Sequence, residues 1–248
     1  MNILYINHYA GSPEMGMEYR PFYMAREWAK PGHHTTIVAA SFAHVRTNQP
    51  IVDEIFKKAL HLETEYLFVK TREYKGNDLN RVRNIRTFVR VLSRSAKTIA
   101  EVYKPDVVIA SSTYPLDIYP ARKIARYAGA KLVFEVHDLW PLSPMELGGY
   151  KKWHPFIMIL QRAENYAYRH ADKVVSILPC TLEHMKAHGL DEKKFHYIPN
   201  GILTEEWESP APLPDSQYGE LDRIRKKFSF LVGYVGSHGL ANALYSFI

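Results

Sequence analysis

Short apolar runs recur along the chain at Met1–Ile6, Thr35–Ala40, Tyr66–Val69, Asp106–Ala110, Lys131–Val136 and Lys173–Ile177, separated by longer segments of mixed character. Strands rich in Val, Ile and Leu throughout, without alternation, are buried on both faces, and helical segments between them permit parallel pairing. The pattern predicts an α/β chain whose parallel sheet is covered on both sides. A first helix is predicted from Glu18 to Lys30, with Phe22, Met24, Ala25, Trp28 and Ala29 inward and Pro31-Gly32 as its stop.

His196–Gly201 closes this series. Ser209–Asp215 then holds three prolines, and a charged segment runs from Glu220 to Lys227, a composition typical of a passage between domains. A new apolar stretch, Phe228–Val235, leads into a glycine-containing turn. The predicted organisation is residues 1–203 as one domain and 204–227 as a linker. Residues 228–248 would be the first strand, glycine loop and helix start of a second α/β domain that the chain does not complete.

Composition adds limits. The chain has 248 residues, 46% of them hydrophobic and 13% aromatic, enough to bury a core. It has no apolar run long enough to span a bilayer, and its N-terminal strand is too short and lacks the basic flank of a signal peptide. A cytoplasmic location is expected. The single cysteine, Cys180, excludes an internal disulfide and any cysteine-cluster metal site, and its place at a helix start suits a small capping-region residue better than a nucleophile.

The net charge of +6 is concentrated. Leu79–Ala100 contains no acidic residue, and Arg83, Arg86, Arg90, Arg94 and Lys97 step by three or four, along one face of a helix. Val82, Ile85, Val89, Leu92, Ala96 and Ile99 form the apolar stripe. The basic face is either the solvated side of a core helix or a surface that meets anionic lipid headgroups. With only Phe88 and Tyr103 nearby as stacking groups and no reading motif, nucleic acid is not an expected partner.

In an open parallel sheet, ligands bind beyond the carboxyl ends of the strands. The loop after the first strand, Asn7–Arg20, contains Gly11 and Gly16 but no G-x-G-x-x-G, which argues against a dinucleotide enzyme. It reads as a flexible loop feeding a helix N-terminus suited to phosphate. Arg20 in that first turn is either an anion ligand or a plain surface residue. Ser111 and Ser112 follow a buried strand and either bond a polyhydroxy ligand or cap the next helix. His137 sits at a strand's end beside Asp138, with Glu135 inside the apolar run, an arrangement that suits an imidazole oriented by a carboxylate. Asn200-Gly201 reads as a turn.

Together, Ile6-Asn-His-Tyr-Ala-Gly-Ser-Pro13, Met17-Glu-Tyr-Arg-Pro21, Phe134-Glu-Val-His-Asp-Leu-Trp-Pro141, Ile198-Pro-Asn-Gly201 and the restart Gly233-Tyr-Val-Gly-Ser-His-Gly239 resemble retaining glycosyltransferases of family 4. These have the GT-B fold of two facing Rossmann-like domains. The combination is similar to the branch of N-acetyl-L-fucosamine transferases of bacterial O-antigen and capsule assembly. The resemblance implies a first domain that binds the acceptor and a second that binds a nucleotide-diphosphate sugar, without metal or other cofactor. It implies His137 and Asp138 as catalytic residues. Gly16, Arg20, Asn200, Gly201, Gly236 and Gly239 would lie on the donor or phosphate side, and Glu18, Ser112 and Glu135 on the acceptor side.

The resemblance further implies a lipid-linked saccharide acceptor at the anionic inner membrane surface, met by the helix from Arg83 to Lys97. The acceptor hydroxyl would attack the face that the diphosphate leaves, a phosphate oxygen taking its proton. The family's donor-binding glutamates fall later than residue 248, so this chain by itself is expected to be inactive. The competing expectations are a sugar-nucleotide epimerase of the same fold and a non-catalytic basic binding module.

Overall fold

The computed structural model of the chain describes residues 1–76, 79–209, 212–236, 238–239 and 242–247. They form two units, Met1–Asn200 and Gly201–Ile248. The first contains β1 (Asn2–Ile6), α1 (Arg20–Ala29), β2 (His34–Ala40), β3 (Phe56–His61), β4 (Thr64–Val69), α2 (Leu79–Arg94), α3 (Ala96–Tyr103), β5 (Val107–Ala110) and α4 (Ile118–Ala128). It continues through β6 (Lys131–Val136), α5 (Leu142–Gly148), α6 (Pro155–His170), β7 (Lys173–Ser176), α7 (Leu182–Ala187) and β8 (Phe195–Tyr197).

The strands make one sheet in the order β3-β4-β2-β1-β5-β6-β7-β8, parallel at every pairing except β3 with β4. This is the Rossmann-like α/β arrangement the apolar runs predict. Side chains alternate across each strand: Leu4, Ile6, Val38, Val108 and Ala110 enter one core with Phe88 and Leu92 of α2. Ile3, Tyr5, Ile37 and Ile109 enter the other with Ala25 of α1.

Three elements depart from the sequence pattern. The β3–β4 hairpin was not foreseen, because β3 carries Lys57 and Lys58 and is only half-buried, as befits an edge strand. Its turn residues, Leu62 and Glu63, take positive φ without the Asn or Gly that usually announces such a turn. The long basic helix is two helices, α2 and α3, separated at Ser95, whose backbone leaves helical geometry. The break lets Ala96, Ile99 and Ala100 turn into the core. Within α2 the inward stripe passes through Phe88, which is fully buried, and leaves Val82 exposed.

The second unit contains α8 (Thr204–Glu208) and α9 (Asp215–Lys227), so much of the expected linker is helical. The charges of α9 pair along its surface, Arg223 with Glu220 and Lys226 with Asp222, which supports an exposed helix. Phe228–Val235 does not form the expected strand. A strand needs a neighbour to take its backbone N–H and C=O groups, and none pairs with it among the described residues. Pro210 and Ala211 of the proline-rich passage lie outside the described residues, as do Ser237, Leu240, Ala241 and Ile248 of the expected glycine loop and helix start. Among the described residues no helix is long and apolar enough to cross a membrane.

Candidate functional site

The strand order reverses at β1, which has β2 on one side and β5 on the other. That reversal opens a crevice at the strands' carboxyl ends. Asn7, just past β1, spans it by donating from Nδ2 to the Ser111 carbonyl at 2.7 Å. The register pairs Tyr5 with Ile109 and Ile109 with Val133. With a side-chain period of two, Tyr5, Ser111, Glu135 and His137 then share one face of the sheet.

These residues converge on the Glu135 carboxylate, which is buried. Its Oε2 accepts from the Tyr5 hydroxyl, from Ser111 Oγ at 2.8 Å and from His137 Nε2 at 3.1 Å. Its Oε1 accepts from Arg20 Nε at 3.1 Å and Nη2 at 2.9 Å. The Arg20 and Glu135 side chains are 8% and 6% exposed, a desolvated ion pair. Burial pushes the Glu135 carboxyl up, but the hydrogen bond and charge of His137 and the charge of Arg20 outweigh it and hold the group at about 2. Burial and the Glu135 charge push the Tyr5 hydroxyl well above its ordinary range, so it stays a donor.

Arg20 is not available to an anionic ligand. Its remaining N–H groups go to the Pro199 carbonyl at 3.0 Å, Asn200 Oδ1 at 3.1 Å and the Ile198 carbonyl at 3.1 Å, so all five guanidinium donors are used. It is a clasp between α1, β6 and the segment after β8, and it holds Asn200 in place by donating to its side-chain oxygen. Gly201, the first residue of the second unit, is exposed.

His137 Nε2 also lies 2.8 Å from Ser111 Oγ. Because Ser111 gives its own proton to Glu135 and a carboxylate only accepts, the Nε2 atom carries the hydrogen, and Nδ1 has no protein partner among the described residues. Asp138 does not orient this ring. One residue on, it turns the other way, and its oxygens accept from Trp140 Nε1 at 3.2 Å and from Ser143 Oγ. The orienting carboxylate is Glu135.

The loop after β1 is folded and closed on itself. The Gly11 N–H donates to the Glu18 carbonyl at 2.8 Å, the Glu18 N–H to the Tyr9 carbonyl at 3.1 Å and the Gly16 N–H to the Ser12 carbonyl at 2.8 Å. Gly16 therefore has no free amide for a phosphate. A Cβ on Gly11 would fall 1.8 Å from the Gly16 carbonyl oxygen, so only glycine fits there. Glu18 is half-buried beside this turn. Arg46, buried, staples the loop by donating to the Ala10 carbonyl at 2.8 Å and the Ala40 carbonyl at 2.7 Å. Burial lowers its guanidinium to about 10.

Ser112 is a structural residue here. It is buried, its Oγ accepts from the His8 N–H at 3.0 Å and its N–H donates to Asp117 Oδ2 at 2.9 Å. Burial raises the Asp117 carboxyl to about 7. Gly236 and Gly239 belong to the second unit and are exposed. Arg83, Arg86, Arg90, Arg94 and Lys97 are exposed on α2 and α3.

Tyr5 and Ser111 were missed as members of the cluster. Both are polar residues within or directly after an apolar strand, and only the register shows that they meet Glu135.

The model of a family described as Glycosyltransferase Family 4 matches residues 15–206. No curated protein matches the sequence. Sucrose-phosphate synthase from Thermosynechococcus elongatus is similar in structure, with a TM-score of 0.62 at 11% identity, over 89% of this chain and 52% of that one. HepE from Anabaena, solved in complex with UDP and glucose, gives a TM-score of 0.52 at 16% identity, over 90% and 50%. At such identities the likeness concerns the fold. This chain spans about half the length of these two structures.

Proposed function

The chain belongs to glycosyltransferase family 4, and from that membership we propose that it is the acceptor-binding half of a retaining glycosyltransferase. The donor is a nucleotide-diphosphate sugar, and the acceptor is a lipid-linked saccharide of surface-polysaccharide assembly. The observation that carries this reading is the Glu135–Arg20–Ser111–His137 cluster at the carboxyl end of β6. It fixes one imidazole nitrogen and leaves the other without a protein partner among the described residues, which suits a sugar hydroxyl.

In the reaction, the bond from the anomeric carbon to the donor phosphate breaks and a bond to the acceptor oxygen forms. The acceptor's proton passes to the departing phosphate. His137 binds and orients the sugar and does not serve as the base. Arg20, fully engaged with Glu135 and residues 198–200, balances the charge of the Glu135 carboxylate. The negative charge on the leaving diphosphate needs cationic or amide donors, and these are assigned to the nucleotide-binding half and not to Gly16 or Arg20. Mass spectrometry of a lipid-linked acceptor, incubated with nucleotide sugars and the protein expressed from its own gene, should show the addition of one sugar. An unchanged acceptor beside an epimerised donor would replace this reading with a sugar-nucleotide epimerase.

The membrane partner rests on the basic face. Arg72, Arg83, Arg86, Thr87 and Arg90 line an open cavity of about 310 Å³, and none of these arginines joins an ion pair among the described residues. Each cation near an anionic leaflet contributes about 1 kcal/mol. Arg86→Gln should therefore weaken binding to anionic phospholipid vesicles about fivefold and leave neutral vesicles unaffected. Equal flotation of variant and wild type would assign the face to solvent.

A further inference from the structure

Glu164 of α6 and His184 and His188 at α7 take no part in the cluster above. Glu164 is 2% exposed, and its carboxylate accepts from the Tyr168 hydroxyl at 2.9 Å and from Gln161 Nε2 at 2.6 Å. No lysine or arginine pairs with it among the described residues, so this buried anion has only His184 Nε2, at 3.1 Å, as a candidate cation. His184 and His188 are four residues apart, with ring centroids 4.3 Å from each other. His188 Nδ1 lies 2.8 Å from the His184 carbonyl. A carbonyl only accepts, so Nδ1 carries the hydrogen and Nε2 offers its lone pair. One donor atom from each of the three residues lies within 4.8 Å of the other two.

We infer that Glu164, His184 and His188 form a site for a divalent transition-metal ion of the zinc type. Imidazole nitrogen and carboxylate oxygen bind zinc at about 2.0–2.2 Å, and two donors 3.1 Å apart can share one ion at those distances. The outer contacts are in place: Tyr168 and Gln161 orient the carboxylate, and the His184 carbonyl orients His188, as ligands in metal sites are usually oriented. Water takes the fourth position.

Binding replaces the His184 Nε2–H contact with Glu164 by two metal bonds, and the neutral ring that binds through Nε2 carries its hydrogen on Nδ1. The ion supplies the positive charge that the buried carboxylate lacks. It also fastens α7, a short helix with Met185 as its one buried residue, to α6.

Untagged protein titrated with Co²⁺ alone should bind one equivalent and develop the visible absorption of a tetrahedral cobalt site, which Zn²⁺ then bleaches. Saturating Zn²⁺ should raise the melting temperature by about 5 °C or more. His188→Ala, at a half-buried position, should fold normally by circular dichroism and weaken binding at least about tenfold. Glu164→Gln should do the same, while His33→Ala should change nothing. Failure of the wild type to bind one equivalent, or undiminished binding by His188→Ala and His184→Ala, overturns the site.

Discussion

Replacing Arg20 by alanine should destabilise the first unit by about 3–5 kcal/mol, because it leaves the Glu135 carboxylate buried without its cation. The pair is desolvated on both sides, and the same substitution frees Ile198, Pro199 and Asn200 from the guanidinium. Arg20→Lys should recover only part of the loss, since an ammonium cannot reproduce two parallel bonds to one carboxylate together with three contacts to a separate segment. Urea unfolding at neutral pH measures both, and equal midpoints for wild type and Arg20→Ala would show that the clasp contributes nothing.

The cluster around Glu135 sets an acid dependence, through His137 first and Arg20 second. Glu135 is held at about 2 against an ordinary 4.5, so its folded form is depressed. Its contribution is fully present above about 4.5 and is lost as the pH falls from there through about 2. His137→Ala and Arg20→Ala should each flatten this part of the stability profile.

In the protein expressed from its own gene, His137→Ala should lower sugar transfer more than tenfold while costing less stability than Arg20→Ala. The asymmetry follows from the geometry. The ring is anchored through Nε2 to Ser111 and Glu135, but Glu135 keeps Tyr5, Ser111 and Arg20 when the ring is removed. What disappears is the unpartnered Nδ1. Ser111→Ala should produce a smaller loss in kcat, since Glu135 alone still holds the ring. Near-normal turnover by His137→Ala would make the histidine a structural residue.

Much of this was legible in the sequence, and the limits have identifiable causes. The apolar runs at β1, β2, β5, β6 and β7 announced a parallel sheet because burial on both faces leaves little room for polar residues. Edge strand β3 escaped notice since an edge tolerates lysine, and its turn uses Leu62 and Glu63 where glycine would have signalled it. Arg20, Glu135, His137 and Asn200 were each singled out, but for separate tasks. Their union depends on strand register and on the return of residues 198–200 to α1, neither of which is written locally.

The sequence places two carboxylates, Asp138 and Glu135, near His137 and does not choose between them. A period of two makes the residue at i−2, Glu135, the neighbour in space. Gly16 and Arg20 were assigned to phosphate on the assumption that their N–H groups were free, and the folded loop and the clasp use them.

The most direct measurement follows the anomeric carbon. A nucleotide sugar of known configuration is incubated with the lipid-linked acceptor and the protein expressed from its own gene, and the new linkage is read by nuclear magnetic resonance. A product that forms only with acceptor present and keeps the donor's anomeric configuration is the predicted result. An inverted linkage, or an epimerised free nucleotide sugar formed without acceptor, would contradict it.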